Sequence, residues 1–329
     1  MDDIFFYEAF EEEAEALRRY LPQPVSAGFH WKTIQECGHA QPPARIISIR
    51  TQSAIPPAWA PLLAGIIARS TGYDHVRAYC ATACRPVPSG YLPLYCNRSV
   101  AEQALLLWLA LMRKLSQQTE QFKTFHRDGI TGIECEGKSL SVVGVGNIGH
   151  EIAKIGRGLG MIVRGVDIVR RHADVEYVDR ETAIRSADVL VCAMNLTAEN
   201  DRYFAYDTLK QAKRGALFIN IARGEFSPAT DLVRLLDEHH LGGVGLDVYN
   251  HEKELAVALR ERRQSADAEV AATLDLGRRP NAILTPHNAF NTRESVERKA
   301  QQAVELLTGF LATGTFKWPV PMGSSSGTS

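Results

Sequence analysis

Three side chains of this 329-residue chain could share one reaction. Arg223 closes the run NIAR, Glu252 closes GLDVYNHE, and His287 follows Thr285-Pro286. An imidazole exchanges a proton near neutral pH. A carboxylate beside it holds the ring and stabilises its protonated form. The planar fork of a guanidinium grips an anionic substrate and polarises a neighbouring carbonyl oxygen. Taken singly, an arginine, a glutamate or a histidine is more often an ion pair or a surface group. Their common placement is what selects them: Arg223, Asp247 and His287 each fall at the end of a short apolar run, at 216–221, 243–248 and 282–284, that reads as a strand. In an open parallel sheet, ligands bind outside the carboxyl ends of the strands, so these residues can converge on one crevice.

The element that organises the rest is residues 141–167, SVVGVGNIGHEIAKIGRGLGMIVRGVD. A β-branched run enters a turn with Gly144, Gly146 and Gly149. Ile152, Ala153, Ile155 and Leu159 then recur at helical spacing, and 162–166 reads as a second strand. Gly144 permits the tight turn, Gly146 lets the backbone approach a pyrophosphate, and Gly149 lets the helix pack on the strand. The helix start, at Asn147 and Ile148, offers free N–H groups and a positive dipole end to phosphates. Asp167 has the spacing expected of a carboxylate that accepts from an adenosine ribose. It would repel a 2′-phosphate, which predicts NAD as cofactor; Arg170 and Arg171 leave NADP open, unless they are plain solvated charges. Hydride transfer at an alcohol carbon needs a group that takes or gives the hydroxyl proton, the role that fits His287 with Glu252, while Arg223 pins the substrate.

Composition narrows the classes. A net charge of -1 gives no reason to invoke nucleic acid or an acidic membrane. The longest apolar run, 104–112, is far short of the roughly 20 residues that span a bilayer. No secretion signal opens the sequence. The six cysteines are scattered with no CxxC pair, which predicts reduced thiols in a cytoplasm rather than disulfides, and Cys80, Cys84, Cys96 and His75 are not expected to form a metal site.

The first hundred residues read as a smaller α/β unit, with strands at 4–7, 45–49 and 65–68 and a helix over 8–20. Arg50-Thr51-Gln52-Ser53 is a polar cluster at a strand end, either a ligand loop or a simple turn. Backbone N–H groups around Thr71 and Gly72 could hold a carboxylate. Arg50 or Arg98 could read a second anionic group, or be surface charges. Ser99-Val-Ala-Glu102 has the form of a capping box, a reading that favours a structural over a catalytic Glu102. The helix it predicts over 101–115 is apolar nearly all round and should be buried between domains or subunits. The polar segment 322–329 reads as a disordered tail.

Several ordered motifs carry a resemblance over nearly the whole chain: GVGNIG with Asp167, NIARGE, GLDVYNHE and TPHNAFNT. The chain resembles the D-isomer-specific 2-hydroxyacid dehydrogenases, and most closely their D-lactate dehydrogenase branch. The resemblance implies that Arg223 binds the substrate carboxylate, that His287 is the acid/base and that Glu252 is its partner. It also implies that Asp247 contacts the nicotinamide end. Met194, Asn195 and Asn200 would line the cofactor together with Ile221 and Ala222 of the NIARGE motif. Tyr95 and Phe290 match substrate-pocket aromatics of the branch. The implied architecture is a doubly wound Rossmann cofactor domain, 99–294, and a smaller flavodoxin-like α/β substrate domain from both chain ends, 1–98 and 295–329, with a cleft that closes on substrate. A homodimer is implied as well. The expected function is interconversion of a 2-oxo acid and the D-2-hydroxy acid; alternatives are oxidation of another small anion such as formate, or an NAD-sensing, corepressor-like protein.

Overall fold

The computed structural model describes residues 2–321, so the expected tail at 322–329 lies outside the described residues. The chain divides into two compact units. One comprises the N-terminal residues through Cys96 and the C-terminal ones from Asn291; the other is Asn97–Phe290.

In the first unit five parallel strands form one sheet. They are β1 (Asp2–Phe6), β2 (Ala27–Phe29), β3 (Ala44–Ile49), β4 (Gly65–Ala68) and β5 (Ser89–Tyr91), in the order β2-β1-β3-β4-β5. This is the flavodoxin-like order, whose direction reverses between β1 and β3. The buried runs Ile46–Ile47–Ile49 and Ile66–Ile67 explain the strands: β-branched side chains suit a pleated surface covered on both faces. The chain's end belongs here for a packing reason. The stacked rings of Phe310 and Phe316 lie over Gly65 and Gly90, where an added Cβ would come within 3.0 and 2.8 Å of them. The expected helix over 8–20 begins only at Glu11. Glu8 has a φ of 54°, and its carboxylate instead accepts from the backbone N–H groups of Arg50, Gln52 and Ser53.

The second unit holds seven parallel strands. They are β6 (Ser139–Val143), β7 (Ile162–Val166), β8 (Glu176–Tyr177), β9 (Val189–Cys192), β10 (Leu217–Asn220), β11 (Gly243–Leu246) and β12 (Ala282–Leu284). Their order is β12-β11-β10-β9-β6-β7-β8, reversing between β6 and β9. That reversal is where a doubly wound sheet opens its ligand crevice. Phe204, Phe218 and Phe226 with Leu232, Leu235 and Leu241 form the core on one side. The helix predicted over 101–115 spans Asn97–Met112 and buries Ala104, Leu107, Trp108 and Leu111. The helix begins two residues ahead of the expected cap at Ser99. Ser99 lies inside the helix and donates to the Phe290 carbonyl at 3.3 Å, while Glu102 accepts from Arg98 one turn earlier at 2.6 Å. Arg98 also faces Glu151 at 3.6 Å, which gives it an ion-pair role rather than that of an anion reader. Among the described residues, no helix is long and apolar enough to cross a membrane.

Candidate active site

The glycine turn after β6 is built by close approach. Gly144 has a φ of 93°, and a Cβ there would lie 2.6 Å from the backbone of Ala193 and Met194, so only glycine lets this turn meet the end of β9. A Cβ on Gly149 would fall 2.0 Å from the Gly144 carbonyl oxygen, which locks the first turn of the helix Asn147–Gly158 onto the loop. Gly146 differs. An added Cβ would meet no protein atom within 4 Å, and Gly146 caps the helix without any side-chain hydrogen bond. A bare glycine in front of uncapped N–H groups fits a diphosphate. At the end of β7, Asp167 accepts from Val145 N–H at 2.7 Å and from Val169 N–H at 2.9 Å. These two bonds aim the carboxylate and leave acceptor capacity for ribose hydroxyls, since a carboxylate offers about four lone-pair sites. His150 on the helix stacks on His172 at 3.8 Å and pairs with Asp174 at 3.0 Å, bracing the loop after Asp167. The exposed Arg170 and Arg171 lie in that loop. After β9, Asn200 accepts from Thr197 N–H at 2.7 Å and donates to the Asn195 carbonyl at 2.9 Å, closing the turn that carries Met194 and Asn195.

Arg223 is presented by a turn at the end of β10 that the Asn220 side chain holds. Asn220 ends β10 fully buried. Its amide donates to the Arg223 carbonyl and to Ser227 Oγ, both at 2.8 Å, and its oxygen accepts from Ala222 N–H at 3.0 Å. One side chain thus fixes Ile221, Ala222 and Arg223. Gly224 then lies so near the loop after β11 that a Cβ would sit 1.9 Å from the Tyr249 carbonyl carbon. The approach brings the Arg223 turn against the segment that leads to Glu252. The signals were an asparagine at a strand end, a common turn former, and a glycine directly after Arg223.

Glu252 opens the helix Glu252–Glu261, and both of its oxygens lie 2.9–3.0 Å from His287 Nδ1. A carboxylate can only accept, so the proton sits on Nδ1 and Nε2 is the exchanging nitrogen. His287 has a φ of 50°, a conformation that costs a non-glycine residue on the order of 1 kcal/mol and needs outside support. Asp247 supplies it. This aspartate, at the end of β11, is 1% exposed and accepts from Thr285 Oγ1 at 2.5 Å and from the N–H groups of Asn288 and Ala289 at 2.9 Å each. Burial pushes its carboxyl above the usual aspartate range, against the pull of those three bonds. Tyr249 adds a second staple, donating to the carbonyls of Thr285 at 2.6 Å and Leu246 at 3.1 Å. Gln103 reaches Thr285 Oγ1 at 3.1 Å.

The remaining expected substrate residues divide between the units. Phe290 ends the second unit, accepting from Ser99. In the first unit Thr71 Oγ1 donates to the Leu92 carbonyl at 3.3 Å and lies 3.2 Å from Cys96 Sγ. The Gly72 carbonyl accepts from Ser70 Oγ at 2.6 Å. Tyr95 is buried and its carbonyl accepts from Arg298 at 2.8 Å. Arg50 follows β3 and lies 5.5 Å from the Phe10 ring centroid.

Comparison with known proteins places this geometry among relatives. The family model described as D-isomer specific 2-hydroxyacid dehydrogenase, NAD binding domain, matches residues 105–289. The D-lactate dehydrogenase of Streptococcus agalactiae is 33% identical over 235 residues, covering 68% of this chain and 69% of that protein. The D-lactate dehydrogenase of Escherichia coli is 28% identical over 227 residues, covering 66% and 67%. A D-lactate dehydrogenase from Aquifex aeolicus, solved with NAD and lactic acid, superposes with a TM-score of 0.82 at 25% identity, covering 95% of this chain and 98% of that one. A D-2-hydroxyisocaproate dehydrogenase shares the fold, with a TM-score of 0.82 at 22% identity over 97% of this chain and 99% of that one.

Proposed function

Because the chain belongs to the D-isomer specific 2-hydroxyacid dehydrogenases, NAD-dependent oxidoreductases, we propose that it interconverts a 2-oxo acid and the D-2-hydroxy acid, with His287, Glu252 and Arg223 as its working groups. The observation that carries this reading is the pairing of Glu252 with His287 Nδ1 at a strand end. In the reductive direction the imidazolium gives its Nε2 proton to the substrate oxygen as C2 is reduced, and Glu252 stabilises the charged ring before that transfer. Arg223 holds the carboxylate and polarises the carbonyl; the N–H groups of Thr71 and Gly72 assist, and Tyr95 and Phe290 contact the substrate side chain.

When bound, the nicotinamide supplies or accepts the hydride. Gly144, Gly146, Asn147, Ile148 and Gly149 would hold the diphosphate, Asp167 the ribose, and Met194, Asn195, Asn200, Ile221, Ala222 and Asp247 the remainder. Asp167 favours NAD over NADP, because a second negative charge beside it is repelled. We also assign the protein to the cytoplasm, on its six free cysteines, and to a homodimer.

The decisive experiment replaces the imidazole. His287→Ala should lower turnover of a reducible 2-oxo acid by about 100-fold or more, while NADH affinity, read by fluorescence titration, stays within about threefold. A near wild-type rate in this variant overturns the assignment.

A further inference from the structure

Beside the glycine turn the second unit gathers two imidazoles and a carboxylate that the reaction above does not use. His150 stands on the first turn of the helix Asn147–Gly158, and His172 and Asp174 lie on the loop between β7 and β8. The two rings stack with centroids 3.8 Å apart and planes 11° from parallel. His150 Nε2 lies 3.0 Å from each Asp174 oxygen. One nitrogen of each ring and one Asp174 oxygen all fall within 4.8 Å of one another, and among the described residues this is the one such group of three metal-ligating side chains.

Each of the three is held by its own backbone or by a neighbour. His150 N–H donates to the Gly146 carbonyl at 2.9 Å, which seats the residue at the helix start. His172 N–H donates to Tyr177 Oη at 3.3 Å, and the His172 carbonyl accepts from Val175 N–H at 3.2 Å, so the loop is tied on both sides of that ring. Arg157 donates to Asp174 Oδ2 and, at 2.9 Å, to the Asp174 carbonyl, while Oδ1 faces His150. Carboxylates that ligate metals are themselves hydrogen-bonded in this way, and such partners orient them. The other nearby cation, Lys154, is paired with Glu151 at 2.8 Å, so its charge is compensated.

We propose that His150, His172 and Asp174 bind one divalent transition ion of the zinc and nickel class, which ties the loop after Asp167 to the start of the helix. Two imidazole nitrogens and one carboxylate oxygen suit such an ion, whereas magnesium and calcium take oxygen ligands almost throughout. Neighbouring ligands on a tetrahedral zinc stand about 3.3 Å apart at the usual metal–ligand lengths. Rotation of the half-exposed Asp174 and the partly exposed His172 closes the remaining distance. Three protein ligands leave the outward position to water. The site uses no group of the proposed reaction and stands or falls apart from it. A stack that only braces the loop would bind no ion.

The test titrates zinc and nickel chlorides into the full chain, purified without a histidine tag, by calorimetry. The wild type should take up one ion per chain with a dissociation constant at or below about 10 µM, and should bind magnesium and calcium about 100-fold more weakly or worse. His172→Ala and the isosteric Asp174→Asn should each weaken zinc binding by about tenfold or more, with unchanged circular dichroism. His287→Ala should bind zinc as the wild type does, which separates this site from the Glu252–His287 pair. In hydrogen exchange, zinc should slow the amides of residues 168–174 in the wild type and leave them unchanged in Asp174→Asn. A wild type that binds no zinc at about 100 µM overturns the proposal. So does binding that His172→Ala and Asp174→Asn leave in place, binding that His287→Ala abolishes, or zinc uptake that leaves exchange at 168–174 unaltered.

Discussion

At the scale of single residues, two carboxylates do opposite work. Glu252 stands at a partly exposed helix start with both oxygens on His287, so its charge is available to a ring that gains and loses a proton. Glu13 is sealed in the interior between Lys299 and Arg69 and serves the fold. Burial alone would raise the Glu13 carboxyl, but Lys299, then Arg69 and Arg50, overcome it and hold it at about 2, against an ordinary value of 4.5. The sign follows from linkage. Between those two values the unfolded chain takes up the proton and the folded one does not, so the contribution is complete above 4.5 and fades as pH falls toward 2. A displacement of that size corresponds to about 3 kcal/mol. Glu13→Gln should therefore lower unfolding stability at pH 7 by about 3 kcal/mol or more, since two buried cations lose their partner. The gap to wild type should narrow below pH 4.5, as measured by urea unfolding at successive pH values. A gap that stays constant from pH 7 to pH 3 would show that Glu13 contributes through packing rather than charge.

At the scale of elements, the site depends on two turns that touch. Arg223 occupies the turn after β10 and Glu252 follows the loop after β11, and Gly224 is where their backbones meet, 1.9 Å from a hypothetical Cβ. No rotamer relieves a clash with backbone, so Gly224→Ala must move one of the two turns. It should lower kcat/KM by about 100-fold, because an ångström of misplacement in a positioning group has that order of effect. Thermal unfolding should show a smaller, concurrent loss of stability. Wild-type kinetics in Gly224→Ala would mean that the turns can part without disturbing Arg223. The same contact shows what the sequence could disclose. The strands were legible, because runs such as Val189–Cys192 and residues 217–219 are apolar throughout, as strands covered on both faces must be. Hence the strand-end positions of Arg223, Asp247 and His287 were legible as well. The partners were not. Asn220 reveals its three bonds only once its turn is formed, and Asp247 shows its hold on Asn288 and Ala289 only when β11 and β12 lie side by side. The start of the helix was hidden for a related reason: it lies ahead of Ser99, and Arg98, one turn before Glu102, gives that carboxylate an ion pair.

At the scale of the whole molecule, the second unit exposes several large apolar side chains within one short segment of sequence. Leu106 and Leu109 lie on the outer face of the helix Asn97–Met112, and Leu115, Phe122 and Phe125 follow it directly in sequence, with both phenylalanines 75% exposed. Isolated exposed apolar residues need no explanation, but five within twenty consecutive positions are the composition expected of an interface segment. Burying each phenylalanine would contribute about 2 kcal/mol. A second copy is the economical partner, since a two-fold interface presents the same patch twice and each phenylalanine is then covered on both sides of the axis. The wild type should therefore sediment as a dimer at micromolar concentration. Phe122→Asp combined with Phe125→Asp should sediment as a monomer with an unchanged circular dichroism spectrum, because both side chains leave the core untouched. A wild-type monomer, or a double variant that still dimerises, would assign that surface to something other than self-association.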